Sequence, residues 1–231
     1  MKTLGMIGGV GPESTLDYYK NIIALYRERQ PDGSYPQFVI NSIDLQKGID
    51  FLEANNLAGM ANFLLSEIEK LPRAGAQFGI IAANTPHIVF DEVKAKSPIP
   101  LVSIVEAACD CAKSRSFKRL ALFGTRYTMQ SDFYQKVFAR EGIELVVPEP
   151  NDQNYIHEKY FAELVPGIFL PETRAGLLAI VDRMKTKVDI EGVLLAGTEL
   201  ALILRGESHN GVALLDTGKI HCQAAVSEML S

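Results

Sequence analysis

Two apolar runs that stop abruptly in small and hydroxylated residues constrain this chain more than any other feature. One is Phe78-Gly79-Ile80-Ile81-Ala82-Ala83-Asn84-Thr85-Pro86-His87. The other, 114 residues further on, is Gly192-Val193-Leu194-Leu195-Ala196-Gly197-Thr198-Glu199-Leu200. A strand covered on both faces reads as a continuous apolar run, which is how strands of parallel sheets look. Open α/β sheets bind ligands just outside the carboxyl ends of such strands. A second pair repeats the pattern at an offset of 116 residues: Leu4-Gly5-Met6-Ile7-Gly8-Gly9-Val10-Gly11-Pro12 and Leu120-Ala121-Leu122-Phe123-Gly124-Thr125-Arg126-Tyr127-Thr128. Each is a strand, a small-residue turn and a helix carrying aromatics, Tyr18 and Tyr19 in the first, Phe133 and Tyr134 in the second. Matched offsets argue for internal duplication. The bland alternative is that every α/β protein repeats strand–turn–helix units.

Periodicity and turn residues predict strands over 3–7, 38–43, 78–82, 101–104, 120–123, 143–147, 192–195 and 212–215. Helices are predicted over 12–29, 56–74, 87–94, 106–114, 129–141, 154–164, 172–185 and 220–230, with a further helix beginning at 200–204. Regular alternation of the two argues for an α/β class with mostly parallel sheets, built as two similar lobes.

Four of these segments carry a family resemblance. Ile7-Gly8-Gly9-Val10-Gly11-Pro12-Glu13-Ser14-Thr15, Asn84-Thr85-Pro86-His87, Gly124-Thr125-Arg126-Tyr127-Thr128-Met129 and Gly197-Thr198-Glu199 resemble the aspartate/glutamate racemase superfamily, in particular its aspartate racemase branch. The resemblance spans nearly the whole chain in the right order. It implies a pseudo-two-fold pair of lobes, 1–98 plus 208–231 and 99–207, with the last strand and helix returning to the first lobe and the site in the cleft between them. It implies an isomerase-type, cofactor-independent amino-acid racemase scaffold that forms a homodimer. It also implies one thiol before Asn-Thr and another before Thr-Glu. Those positions hold Ala83 and Gly197, while Cys109, Cys111 and Cys222 lie at no motif position. The family's basic residue after the second strand has Lys47 as its counterpart here. A further family lysine falls near Pro166, where this chain has no charge.

The candidate site residues follow from where the turns fall. Gly9 and Pro12 shape a strand-to-helix turn suited to an anion. The spacing of Gly9 and Gly11 lacks the third glycine of a dinucleotide fingerprint, so a carboxylate is the better guest. Asn84, Thr85, Thr125, Thr128 and Thr198 offer amide and hydroxyl groups to a carboxylate, or cap the helices that follow them. Arg126 points away. Glu199 is either a base or an acid at the start of a helix. His87 donates either to a ligand or to a backbone carbonyl. These are the titratable groups nearest the two thiol-less positions.

Two function classes follow: an isomerase- or lyase-type enzyme working with a single base, or a catalytically silent binder of a small amino or carboxylic acid. A chain altered at 83 and 197 to trap a ligand is a third reading. The 231 residues carry a net charge of −5, which argues against nucleic acid as the partner. No run approaches the length of a membrane span, and a strand begins within four residues of the start, so neither membrane nor leader is expected. Three cysteines without metal-ligand spacing point to a reducing cytoplasm, no structural disulfide and no metal. No cofactor is expected.

Overall fold

The computed structural model describes residues 1–231. The chain divides into two compact units, residues 1–107 with 218–231, and residues 108–217. The first unit holds strands β1 (Leu4–Gly8), β2 (Phe38–Ser42), β3 (Phe78–Ile81) and β4 (Leu101–Val102), all parallel, in the order β2-β1-β3-β4. The second holds β5 (Arg119–Gly124), β6 (Glu144–Val146), β7 (Gly192–Ala196), β8 (Ser208–His209) and β9 (Val212–Asp216), in the order β6-β5-β7-β9-β8. Second, first, third, fourth is the strand order in both sheets; β8 is added to the second as an antiparallel edge.

The period-two alternation of the strands sorts side chains onto two faces. Leu4, Met6, Phe78 and Ile80 pack against Tyr18, Ile22 and Leu25 of the helix Pro12–Arg29 and Ala225, Val226 and Met229 of the C-terminal helix. Ile7 and Ile81 point the other way, onto Met60, Leu64 and Ile68 of the helix Leu57–Ile68. In the second unit Ala121, Phe123, Val193 and Leu195 meet Leu177, Ile180, Val181 and Met184 of the helix Pro171–Val188. Sheets with both faces covered explain why these strands are apolar end to end.

Four details differ from the sequence-based expectations. The last strand does not return to the first lobe: β9 pairs with β7, and only the helix Thr217–Met229 crosses back, the exchange falling at 217/218. Likewise β4 pairs with β3, so residues 99–107 stay with the first unit and the boundaries 98/99 and 207/208 move. A helix Leu45–Glu53, capped by the Asp44 side chain on the Gln46 N–H, occupies a stretch to which the sequence pattern assigned no element. Finally, the helix expected over 154–164 starts at Pro150 and changes after Lys159 into a π-helical turn, Tyr160–Leu164.

Candidate functional site

At the end of β1 the chain turns through Gly9 at φ 80°. A Cβ there would sit 2.4 Å from the Ile43 carbonyl oxygen, so only glycine fits. The Gly9 N–H donates to Thr15 Oγ1 at 2.9 Å, and that hydroxyl donates to the Gly11 carbonyl at 3.0 Å. The turn is thus closed internally by Thr15. Pro12 then starts an 18-residue helix, the one long helix that follows a site strand. The segments after β3, β5 and β7 are short: Thr85–Val89, Arg126–Gln130 and Thr198–Ile203. Dipole attraction for an anion, which grows with aligned peptide units, is therefore best served at the end of β1.

At the end of β3, Ala83 and Asn84 are buried, Thr85 half-buried. The Asn84 side chain does not cap the turn that follows. His87 is buried, and its Nδ1 lies 2.9 Å from the Ala83 carbonyl, to which it donates. Its Nε2 accepts the Ile104 N–H at 3.3 Å. Both ring nitrogens are committed to backbone, so of the two roles open in the sequence the structural one is found. Burial, followed by repulsion from His221, lowers its pKa to about 3. A neutral, clamped imidazole is a poor proton donor near neutral pH.

At the end of β5, Thr125 caps the short helix: its Oγ1 accepts the Thr128 N–H at 3.3 Å and lies 3.3 Å from Thr128 Oγ1. Arg126 is exposed; its N–H donates to His157 Nδ1 at 3.2 Å. Lys47 is exposed on the helix Leu45–Glu53, its ammonium 5.9 Å from the centre of the Phe63 ring.

The end of β7 is the richest. Glu199 is fully buried in the first turn of the helix Thr198–Ile203. Its Oε2 accepts the Thr198 hydroxyl at 3.0 Å and also the Tyr160 hydroxyl. Tyr160 comes from the π-helical turn, a distortion that often marks functional positions. Burial first, then the Glu199 charge, drives its pKa well above the ordinary tyrosine value. Sequence reasoning missed Tyr160; no motif announces it. Its ring also fills the space beside Gly197, where a Cβ would lie 2.6 Å from Cε2 and 3.2 Å from Cζ.

The three thiols offer no substitute nucleophile at these strand ends. Cys109 and Cys222 are buried in helices, and burial raises the Cys109 thiol to about 11. Burial raises Cys111 as well. No group of three or more His, Cys, Asp or Glu side chains is placed to hold a metal ion. No helix is long and apolar enough to cross a membrane.

Two sheets of mostly parallel strands in matching order, with small polar residues at the strands' carboxyl ends, define an α/β protein of two similar units. The model for Asp/Glu/hydantoin racemases matches residues 7–225, and the chain belongs to that family. It is 24% identical over 235 residues to the broad specificity amino-acid racemase RacX of Bacillus subtilis, covering 99% of this chain and 98% of that one. An aspartate racemase homologue from Pyrococcus horikoshii superposes over 100% of both chains with a TM-score of 0.85 and 33% identity. The fold is shared with Picrophilus torridus aspartate racemase, at a TM-score of 0.82 and 21% identity over 99% of this chain and 94% of that one.

Proposed function

We propose that this chain binds a small amino or carboxylic acid on a racemase scaffold from which the family's two-thiol proton exchange is absent. The observation that carries the reading is the pair Ala83 and Gly197 at the ends of β3 and β7. Neither side chain can take or give a proton, whereas racemisation needs one group to remove the α-proton and another to return it on the opposite face. The amide of Asn84, the hydroxyls of Thr85, Thr125, Thr128 and Thr198, and the Gly9–Pro12 turn are the proposed carboxylate partners. Lys47 is proposed for a second carboxylate. That all of them serve one ligand is part of the proposal. The amino-acid class is supported by the Bacillus relative, a broad specificity amino-acid racemase.

Calorimetry with aspartate, glutamate and simple organic acids tests it. Binding in the millimolar range or tighter is expected, about −4 kcal/mol or better; no heat from any of them overturns the reading. Racemisation of aspartate and glutamate is expected to be absent or very weak, and robust turnover would show an unrecognised pair of bases. Between a silent binder and a single-base isomerase or lyase, the Tyr160–Glu199 hydrogen bond favours the second.

A cytoplasmic homodimer belongs to the same proposal. Leu16 and Tyr19, 56% and 48% exposed on the first helix, are the proposed contact residues. Sedimentation at micromolar concentration should return twice the chain mass; a monomer there would remove the dimer from the proposal.

A further inference from the structure

We propose that Tyr160 and Glu199 form a one-sided proton relay at the end of β7, standing where the thiol of residue 197 would be. The proposal rests on the small-acid reading above and names the chemistry of that site. Three independent observations meet here. The Tyr160 ring occupies the volume of a residue-197 side chain, with Cε2 2.6 Å from the ideal Cβ position. Its hydroxyl donates to Glu199 Oε2, which also accepts from Thr198 Oγ1 at 3.0 Å. The ring is carried by a π-helical turn, Tyr160–Leu164, inserted where the helix Pro150–Lys159 would otherwise run on.

Glu199 Oε2 accepts from both hydroxyls, as an ionised carboxylate does. In the proposed relay the pair starts with one proton on the phenol and one negative charge on Glu199. Tyr160 does not work as a free phenolate, because a second negative charge beside Glu199 in a buried site is strongly disfavoured. It passes a proton on instead. In the forward step the substrate Cα–H bond breaks and its proton goes to Tyr160 Oη. The phenol's own proton moves at the same time to Glu199. The electron pair stays on the substrate as an enolate, and the pair now holds two protons and no charge. While the pair is neutral its protons exchange with solvent, and the reverse step then returns a solvent-derived proton from Tyr160 Oη to the same face of Cα, with Glu199 giving its proton back to the phenol. No oxidant or further reactant is needed. The outcome is exchange of the α-proton with retained configuration, which separates this chemistry from two-face racemisation.

The test measures binding and exchange together. L- and D-aspartate and L- and D-glutamate are incubated with the protein in D₂O. Proton NMR follows loss of the α-signal, chiral chromatography the enantiomer ratio, and calorimetry the binding. The expected result is α-deuteration with the ratio unchanged. Tyr160→Phe, which removes only the hydroxyl, should slow exchange about 100-fold or more while altering affinity less than about three-fold. Glu199→Gln, which removes the proton acceptor of the relay, should slow it as much. Circular dichroism establishes that each variant is folded, and Tyr160→Phe keeps the test intact where Glu199→Gln does not fold. A ligand that binds the unmodified protein without exchanging overturns the relay and leaves the small-acid reading standing. Exchange at an unchanged rate in Tyr160→Phe overturns it as well. No binding by any of the four acids removes the underlying reading and the relay with it.

Discussion

Gly197→Ala is expected to lower stability by about 1–3 kcal/mol, the usual cost of forcing an extra group into a packed interior. The backbone does not explain the glycine. Gly197 has φ −146° and ψ 117°, extended geometry open to any residue. The obstacle is steric, because the new Cβ would lie 2.6 Å from Tyr160 Cε2, 3.2 Å from Cζ and 3.4 Å from Leu200 Cδ1. Tyr160 cannot swing away freely, since its hydroxyl is held by buried Glu199. Tyr160→Leu removes Cε2 and Cζ while keeping apolar volume near the backbone. In that background Gly197→Ala should be close to neutral, giving a coupling energy of about 1–3 kcal/mol in a double-mutant cycle read by urea denaturation. Purely additive effects would show that Tyr160 does not guard the position.

The same geometry governs any attempt to restore thiols. Ala83→Cys with Gly197→Cys should leave racemisation of aspartate and glutamate negligible, because Tyr160 still fills the space of the second thiol. Adding Tyr160→Leu should raise it by about 10²-fold or more, the least that a positioned acid–base group contributes. Equal activity in the two variants would show that more of the site has diverged than the one ring.

How much of this was legible beforehand depends on where the information lies. The strands β1, β3, β5 and β7 could be read directly, because a strand with both faces covered must be apolar along its length and must end where the chain turns polar. The edge strand β8 is two residues, Ser208 and His209, with no apolar signal, and it was not foreseen. The partner of β9 could not be read either: Val212–Asp216 is apolar enough to join either sheet, and register alone puts Leu214 beside Val193. Local chemistry marked Asn84, Thr85, Thr125, Thr198 and Glu199 as strand-end residues. It could not mark Tyr160, whose place depends on a π-helical turn and on an empty volume 37 positions away at Gly197. Nor could it decide the role of His87, which rests on the Ile104 N–H and on His221.

His87 and His221 carry the second large effect, a loss of stability on mild acidification. Both rings are fully neutral hydrogen-bonding units in the fold. His87 donates from Nδ1 to the Ala83 carbonyl at 2.9 Å and accepts the Ile104 N–H at Nε2. His221 donates from Nε2 to the Val102 carbonyl at 3.0 Å, and its Nδ1 accepts the Tyr18 hydroxyl at 2.9 Å. A second proton on His87 would meet an N–H donor instead of an acceptor. Burial holds His221 down to about 4, and burial with repulsion from His221 holds His87 down to about 3, against 6.5 for a free imidazole. The folded protein therefore binds fewer protons than the unfolded chain between about pH 4 and 6.5. Stability is complete above the unfolded value and falls as pH drops through that window, by about 1.4 kcal/mol per pH unit for each ring. At pH 5 the two together should remove about 4 kcal/mol relative to pH 8, a large share of the 5–15 kcal/mol typical of a folded domain. His157, lowered by burial and by Arg126, acts in the same direction. Carboxylates with lowered pKa, such as Glu67 and Glu191, add their losses only below about pH 5. Urea midpoints measured from pH 8 to pH 5 should fall steadily below pH 6.5. In His221→Gln, where one of the two buried titrations is gone, the slope over that range should drop by roughly half; an unchanged slope would place the acid sensitivity elsewhere in the chain.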